Sequence, residues 1–227
     1  MIPRPIQHLL LATLYNAFSE WANTFAFTCR KGCAICCTRS VTMTSLEGAA
    51  VMAFLAEADR LSELAAPAFQ PTPPKMGQCT TNAFVAAHLR GEAAEEAESW
   101  DLRPCPFLKE EICSIYPARP FGCRLFASQD PCAASGVADM PPGYLAGATV
   151  LLQYIEHLDN GGRWGTMVEL LAELNAGHDG YGEPTAPIPG FLIAPEERAL
   201  VEPLLHGLLA REITGQTFEQ WLQVSRP

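Results

Sequence analysis

Basic charge is scarce in this 227-residue chain: 15 lysines and arginines stand against 25 aspartates and glutamates, a net charge of −10. A general nucleic-acid binder needs a basic face to displace counterions from phosphate, so the balance argues against that class while leaving room for a local basic pocket. Long apolar runs are scarce too. The most apolar, IQHLLLATLYNAF at residues 6–18, is interrupted by His8 and Asn16 and followed by Glu20 and Asn23. It is too short to span a bilayer and has no small-residue cleavage site at a sensible distance. It reads as an amphipathic core helix, and the expectation is a cytoplasmic protein that does not bind membranes. Histidine is limited to His8, His88, His157, His178 and His206, none of them in an H-E-x-x-H or H-x-E arrangement. A P-loop, a G-x-G-x-x-G turn and a G-x-S-x-G elbow are all missing, so the familiar nucleotide and hydrolase signatures are excluded. Strand signals are few, EICSIY at 111–116 being the best, and no internal repeat is visible.

Cysteine is plentiful. There are nine, an odd number that forbids complete internal pairing. They are also clustered, whereas a stapled secreted fold spreads its cysteines through a short chain. The stretch TCRKGCAICCTRS, residues 28–40, holds Cys29, Cys33, Cys36 and Cys37 at C-x3-C and C-x2-C spacings, with the last two adjacent. A thioredoxin-like redox pair would use Cys33 and Cys36 but expects a βαβ setting that the sequence does not offer. One of Cys36 and Cys37 can simply pack, since a buried thiol behaves as a small hydrophobe; that reading is weak for the whole group. Thiolates are soft ligands suited to zinc and iron–sulfur clusters, and residues two to four apart can share one centre. The adjacent pair is informative. Its Cα atoms lie about 3.8 Å apart with diverging side chains, so the two thiols more easily reach different irons of a cluster, or two centres, than one small ion.

The rest of the chain reads as mainly α, with helices packed around an irregular cysteine- and proline-rich metal-binding centre. Helices are expected over residues 5–22, 45–66, 81–98, 143–158, 164–176 and 195–212, with a short one at 217–224. Thr44 with Glu47 three residues on forms a capping-box signature for the second. The EAAEEAE run reads as a solvated acidic face, and GHDGYGEP as a loop. His88 and His157, within expected helices, read as exposed or core-satisfied side chains. Between residues 100 and 142, seven prolines and Cys105, Cys113, Cys123 and Cys132 forbid a long helix. A long irregular stretch needs an anchor, and metal coordination is one. Arg30, Lys31, Arg39, Arg103, Arg119 and Arg124 flank the cysteines, six of the chain's 15 bases. They can offset thiolate charge, donate to sulfur or hold an anionic substrate. The organisation expected is a single domain over 1–227, with a metal-binding region at 29–132 and a C-terminal helical region at 143–227.

The block PCPFLKEEICSIYPARPFGCR, residues 104–124, together with the upstream cysteines, resembles the YkgJ-like cysteine-cluster family of zinc- or iron-chelating domains. The resemblance rests on Cys29, Cys33, Cys36, Cys37, Cys105, Cys113 and Cys123, with Tyr116, Arg119, Pro120 and Arg124. It implies that these cysteines are metal ligands, with Cys132 as the eighth and Cys79 as its rival. The adjacent pair and a thiol count above four favour an iron–sulfur cluster of [4Fe–4S] type, with zinc second. The flagellin lysine methylase family carries a similar cysteine group, which implies an alternative: a cluster-dependent S-adenosylmethionine protein methyltransferase with Tyr116, Arg119 and Arg124 at its cofactor pocket. The partner class left open is a protein partner or substrate. Pro104, Pro106, Pro117 and Pro120 stiffen the loop. Phe107, Leu108, Ile112, Ile115 and Phe121 are expected to seal the site from water.

Overall fold

In the first helix, α1 (Arg4–Ala22), the residues Leu9, Leu10, Leu14, Ala17, Phe18 and Trp21 read as the apolar stripe, and all are buried except Leu9, which is 47% exposed on the solvent side of the helix. The computed structural model describes residues 2–70, 79–93, 101–177 and 182–224. After α1 come β1 (Thr42–Thr44), α2 (Ser45–Glu57), α3 (Thr81–Leu89), β2 (Leu108–Lys109), β3 (Ile112–Cys113), α4 (Phe121–Leu125) and α5 (Cys132–Ser135). The second half contains α6 (Pro142–Leu158), β4 (Arg163–Thr166), α7 (Met167–Ala176), β5 (Glu183–Pro184), α8 (Arg198–Leu209), β6 (Glu212–Ile213), β7 (Gln216–Thr217) and α9 (Phe218–Val224). The fold is mainly α, as the sequence implies. Among the described residues no helix is long and apolar enough to cross a membrane.

Two hydrophobic clusters organise the chain. The larger centres on α6, whose Tyr144, Ala148, Leu151, Ile155 and Leu158 meet α1, Leu204 and Leu208 of α8, and Phe218 and Trp221 of α9. Helix α6 is buried almost all round, and its buried polar side chains find partners inside the protein except at Gln153 Oε1. Glu156 accepts the backbone N–H groups of Asn82 and Ala186 at 2.8 Å each, and His157 Nε2 meets the Leu222 carbonyl at 3.1 Å. The smaller cluster lies between α2 and α7 and joins Met43, Val51, Leu55, Phe69, Phe107, Ile115 and Leu171.

A short antiparallel sheet holds α2 and α7 side by side. β1 pairs with β4 in the register Thr42–Thr166, Met43–Gly165 and Thr44–Trp164, and β4 pairs in turn with β5. Both strands run straight into helices through the same device. Thr44 and Glu47 form a capping box, and Thr166 and Glu169 form another. The second was missed by the sequence reading, which placed residue 164 in a helix; residues 163–166 are a strand because β1 offers them a pairing edge.

Other boundaries also moved. The helix expected over 45–66 stops at Glu57, where Asp59 turns left-handed at φ 53° and the Arg60 amide donates back to Leu55 O at 2.8 Å. Leu61–Ala65 then forms a 3-10 turn. The helix expected over 81–98 ends at Leu89, with Gly91 at φ 72° beyond it; the end of the acidic run, from residue 94, lies outside the described residues. The helix expected over 195–212 is a 3-10 turn, Pro195–Glu197, followed by α8, and a β6–β7 hairpin takes its last turn. Within EICSIY only Ile112–Cys113 is strand. Residues 178–181 of the GHDGYGEP loop lie outside the described residues.

Candidate metal centre

Residues 28–37 make two successive tight turns. The Cys33 amide donates to Arg30 O at 2.9 Å, with Gly32 at φ 88° supplying a conformation that side chains resist, and the Cys37 amide donates to Ala34 O at 3.0 Å. The chain then runs antiparallel to residues 101–105. The Arg39 amide donates to Arg103 O at 3.0 Å, Thr38 bridges Pro104, and the Cys105 amide donates to Cys37 O at 2.9 Å. This short ladder brings the two cysteine groups together.

Asp101 clamps the ladder. Its carboxylate accepts from Arg39 Nε at 3.1 Å and from Arg103 Nε at 2.8 Å, and its carbonyl accepts from Ser40 Oγ at 2.9 Å. The hydrogen bond from Arg103, above all, holds the Asp101 carboxyl down at about 2. Its stabilisation is therefore present above the ordinary carboxylate range and is lost as pH falls towards that value. Asp101→Asn is expected to cost about 1 kcal/mol, because the clamp is only partly shielded from water. Chemical denaturation at neutral pH checks this, and a variant as stable as the parent removes the clamp from the account.

Beyond the ladder, the Leu108 amide donates to Cys105 O at 2.9 Å, and β2 turns back as β3 with Leu108 paired to Cys113. The tip residues Glu110 and Glu111 are both left-handed, at φ 50° and 62°. Phe107, Ile115 and Phe121 are buried beneath, at 0%, 1% and 0% exposure. Ile112 is a correction: it is 48% exposed, because pairing in β3 turns it to the opposite face from Cys113. A 3-10 turn, Tyr116–Ala118, leads through Pro120 into α4, which carries Cys123. Gly122 lets α4 lie against β1: a Cβ there would sit 2.6 Å from Thr42 O. Gly122→Ala must push α4 off that carbonyl, at an expected cost of about 2 kcal/mol; thermal unfolding tests it.

Cys132 is held on a separate loop. Ser128 O accepts from the Thr28 amide at 2.8 Å and from Thr28 Oγ1 at 3.1 Å, and Gln129 donates to Asp139 O at 2.9 Å to close residues 129–139. Cys79, the rival, precedes the Thr80 cap of α3.

All nine cysteines are unbridged; Cys29 and Cys33 are exposed, and the others are partly covered. The thiols of Cys36 and Cys37 share a hydrogen bond that pushes Cys36 well up and draws Cys37 down. Burial raises Cys105 to about 11 and drives Cys123 higher still. Among the described residues, no three His, Cys, Asp or Glu side chains are drawn tightly enough together to hold one ion. The donor set nonetheless suits zinc or iron, since thiolates are what both metals take and metal binding itself supplies the ionisation.

The flanking bases divide. Arg39 is 8% exposed, and its charge bears on Cys105. Arg103 is paired with Asp101, and Arg30 and Lys31 are exposed. Arg119 stacks on the Tyr116 ring at 3.6 Å, Tyr116 is 58% exposed, and the Arg119 charge bears on Cys123. Arg124 lies 4.2 Å from the centroid of the Tyr15 ring and donates to Arg119 O at 2.9 Å and Pro117 O at 2.8 Å, so its donors hold the turn. Beneath them the sequence reading missed a functional joint: Glu47 accepts from Tyr15 Oη at 2.7 Å and from the Phe121 amide at 2.7 Å. The capping signature identified Glu47 as a helix start, and its second partner, from α4, had no local signal.

A family model, CxxCxxCC, described as "Putative zinc- or iron-chelating domain", matches residues 28–141. The match begins one residue before Cys29 and ends after Cys132. No curated protein and no solved structure matches the chain.

Proposed function

This chain belongs to the CxxCxxCC family of zinc- or iron-chelating domains, and on that premise we propose that it is a metal-binding protein holding an iron–sulfur cluster of [4Fe–4S] type. Its ligands come from Cys29, Cys33, Cys36, Cys37, Cys105, Cys113, Cys123 and Cys132, and zinc is the second choice of metal. The observation that supports the reading is the hydrogen bond from the Cys105 amide to Cys37 O, which ties the downstream cysteine segment to the upstream one. A thiol count above four and the adjacent pair favour several irons over one ion. Arg39 and Arg119 offset part of the negative charge that thiolate ligands bring. A bound cluster supplies electron transfer or a structural anchor; this chain's own residues orient the thiols, shield them with Phe107 and Ile115, and balance their charge. Residues 29–132 form the metal-binding part, the helices after 143 form its support, and the whole folds as one unit. Nine unbridged thiols suit a reducing cytoplasm.

Anaerobic purification followed by absorption spectroscopy and metal analysis tests this. A brown protein with iron and sulfide in matching amounts is expected. A colourless protein with stoichiometric zinc selects the second choice, and a metal-free protein with an unchanged fold sinks both. The exposed Tyr116–Arg119 stack beside Cys123 favours one further reading, a cluster-dependent S-adenosylmethionine protein methyltransferase with Tyr116, Arg119 and Arg124 at its cofactor pocket. Binding of the methyl donor to the metal-loaded protein, lost in Arg119→Ala, is its test.

A further inference from the structure

We propose that the eight cysteines build two four-thiolate centres that meet at the Cys36–Cys37 peptide: an outer one of Cys29, Cys33, Cys36 and Cys132, and an inner one of Cys37, Cys105, Cys113 and Cys123. The inference rests on the thiolate metal-binding reading above and adds the division of the ligands. It gives each member of the adjacent pair its own centre, and the hydrogen bond that their thiols share marks where the two centres meet.

The backbone makes the division. The inner set is assembled by the ladder that ties Cys37 to Cys105 and by the β2–β3 hairpin that folds Cys113 back over Leu108, which is itself bonded to Cys105 O. Pro120 and α4 then return Cys123 beneath them. The outer set is assembled by a different tie, the pair of hydrogen bonds from Thr28 to Ser128 O, which brings the Cys132 loop to the residue next to Cys29. The two sets also rest on different cores. Cys105 and Cys113 pack on the cluster of Phe107 and Ile115, whereas Phe25 and Phe27, just before Cys29, stack on each other and meet Tyr144 in the larger cluster.

The two centres are unequal. Cys29 and Cys33 are exposed, whereas every member of the inner set is partly covered. The outer centre therefore gives up its metal first, and the inner one is the anchor.

The test uses the full chain, reconstituted anaerobically with ferrous iron and sulfide, and separately with zinc. The parent is expected to hold about two centres per chain, each with four thiolates. Cys132→Ser and Cys33→Ser should each reduce this to about half and remove the fraction that a chelator strips fastest. Cys113→Ser should also leave about half, all of it stripped fast. Cys33 is exposed, so its variant tests the outer set without disturbing packing, and far-ultraviolet circular dichroism confirms the fold of each variant. Loss of all metal in both Cys33→Ser and Cys113→Ser means one joint centre and overturns the proposal. A full complement in Cys132→Ser overturns the assignment of the eighth ligand and the proposal with it. A parent that takes up neither metal overturns the metal-binding reading itself, an outcome distinct from either of these.

Discussion

Stripping metal from the anaerobically purified protein is expected to open the cysteine region to trypsin while leaving most of the helical far-ultraviolet signal in place. The helical signal comes from α1, α6 and α8, whose contacts through Leu10, Leu14, Leu151, Ile155, Leu204 and Leu208 include no cysteine. The cysteine region has little of its own to stand on. Its hairpin consists of two residue pairs, and an isolated hairpin of that size is marginal in water. The turns at 30–37 close through single hydrogen bonds. A structural metal contributes on the order of 10 kcal/mol to the fold it organises, so its removal should dominate any single substitution. Lys31 and Lys109, both exposed, lie between Cys29 and Cys33 and between Cys105 and Cys113, and cleavage after them is the readout. Equal cleavage rates with and without metal would show that the thiols organise nothing.

Glu47→Ala is expected to be the most destabilising single substitution outside the cysteines, by about 4 kcal/mol, because it strands three buried donors at about 1–3 kcal/mol each before relaxation. The donors are the Thr44 amide at 2.9 Å, the Phe121 amide at 2.7 Å and Tyr15 Oη at 2.7 Å, around a carboxylate that is 2% exposed. They come from β1, α4 and α1, so one side chain joins three elements and sets the depth of Cys123. The pH dependence has a definite sign. Burial pushes the Glu47 carboxyl up despite those hydrogen bonds, so the folded state binds its proton more readily than the unfolded chain does. The resulting stability is full below the ordinary carboxylate range and is lost as pH rises through the raised value. Glu47→Gln keeps the shape and removes the titration, so its unfolding free energy should fall less steeply over that window. Urea unfolding of parent and variants across the window decides it; an identical slope would exclude Glu47 as the titrating group.

Local signals were legible where the physics is local. The apolar stripe of α1 and the Thr44–Glu47 box are read within one or two turns of chain, and both stand in the structure. Thr166 and Glu169 carry the same signature and went unread because a helical pattern ran through them; only the pairing of β4 with β1 separates strand from helix there. The end of α2 depends on a left-handed Asp59, a conformation that aspartate tolerates but does not announce. For the site, clustering and spacing were enough to select thiolate chemistry. The neighbour of each thiol depends on the path of residues 38–40 along 101–104 and on the Thr28–Ser128 tie. Those contacts join segments tens of residues apart, and no short-range pattern encodes them.

The corner between β2 and β3 is made by two glutamates in a backbone shape that glycine and asparagine adopt far more readily. Left-handed geometry costs an ordinary residue about 1–2 kcal/mol, so the parent bends this corner reluctantly and pays for it with what lies underneath. Swapping in Glu110→Asn and Glu111→Gly should let the chain bend there unaided, pre-shaping the grip of Cys105 and Cys113 before any ion arrives. Stopped-flow uptake faster than the parent's, with release unaltered, would mark this bend as the step that sets the tempo of loading.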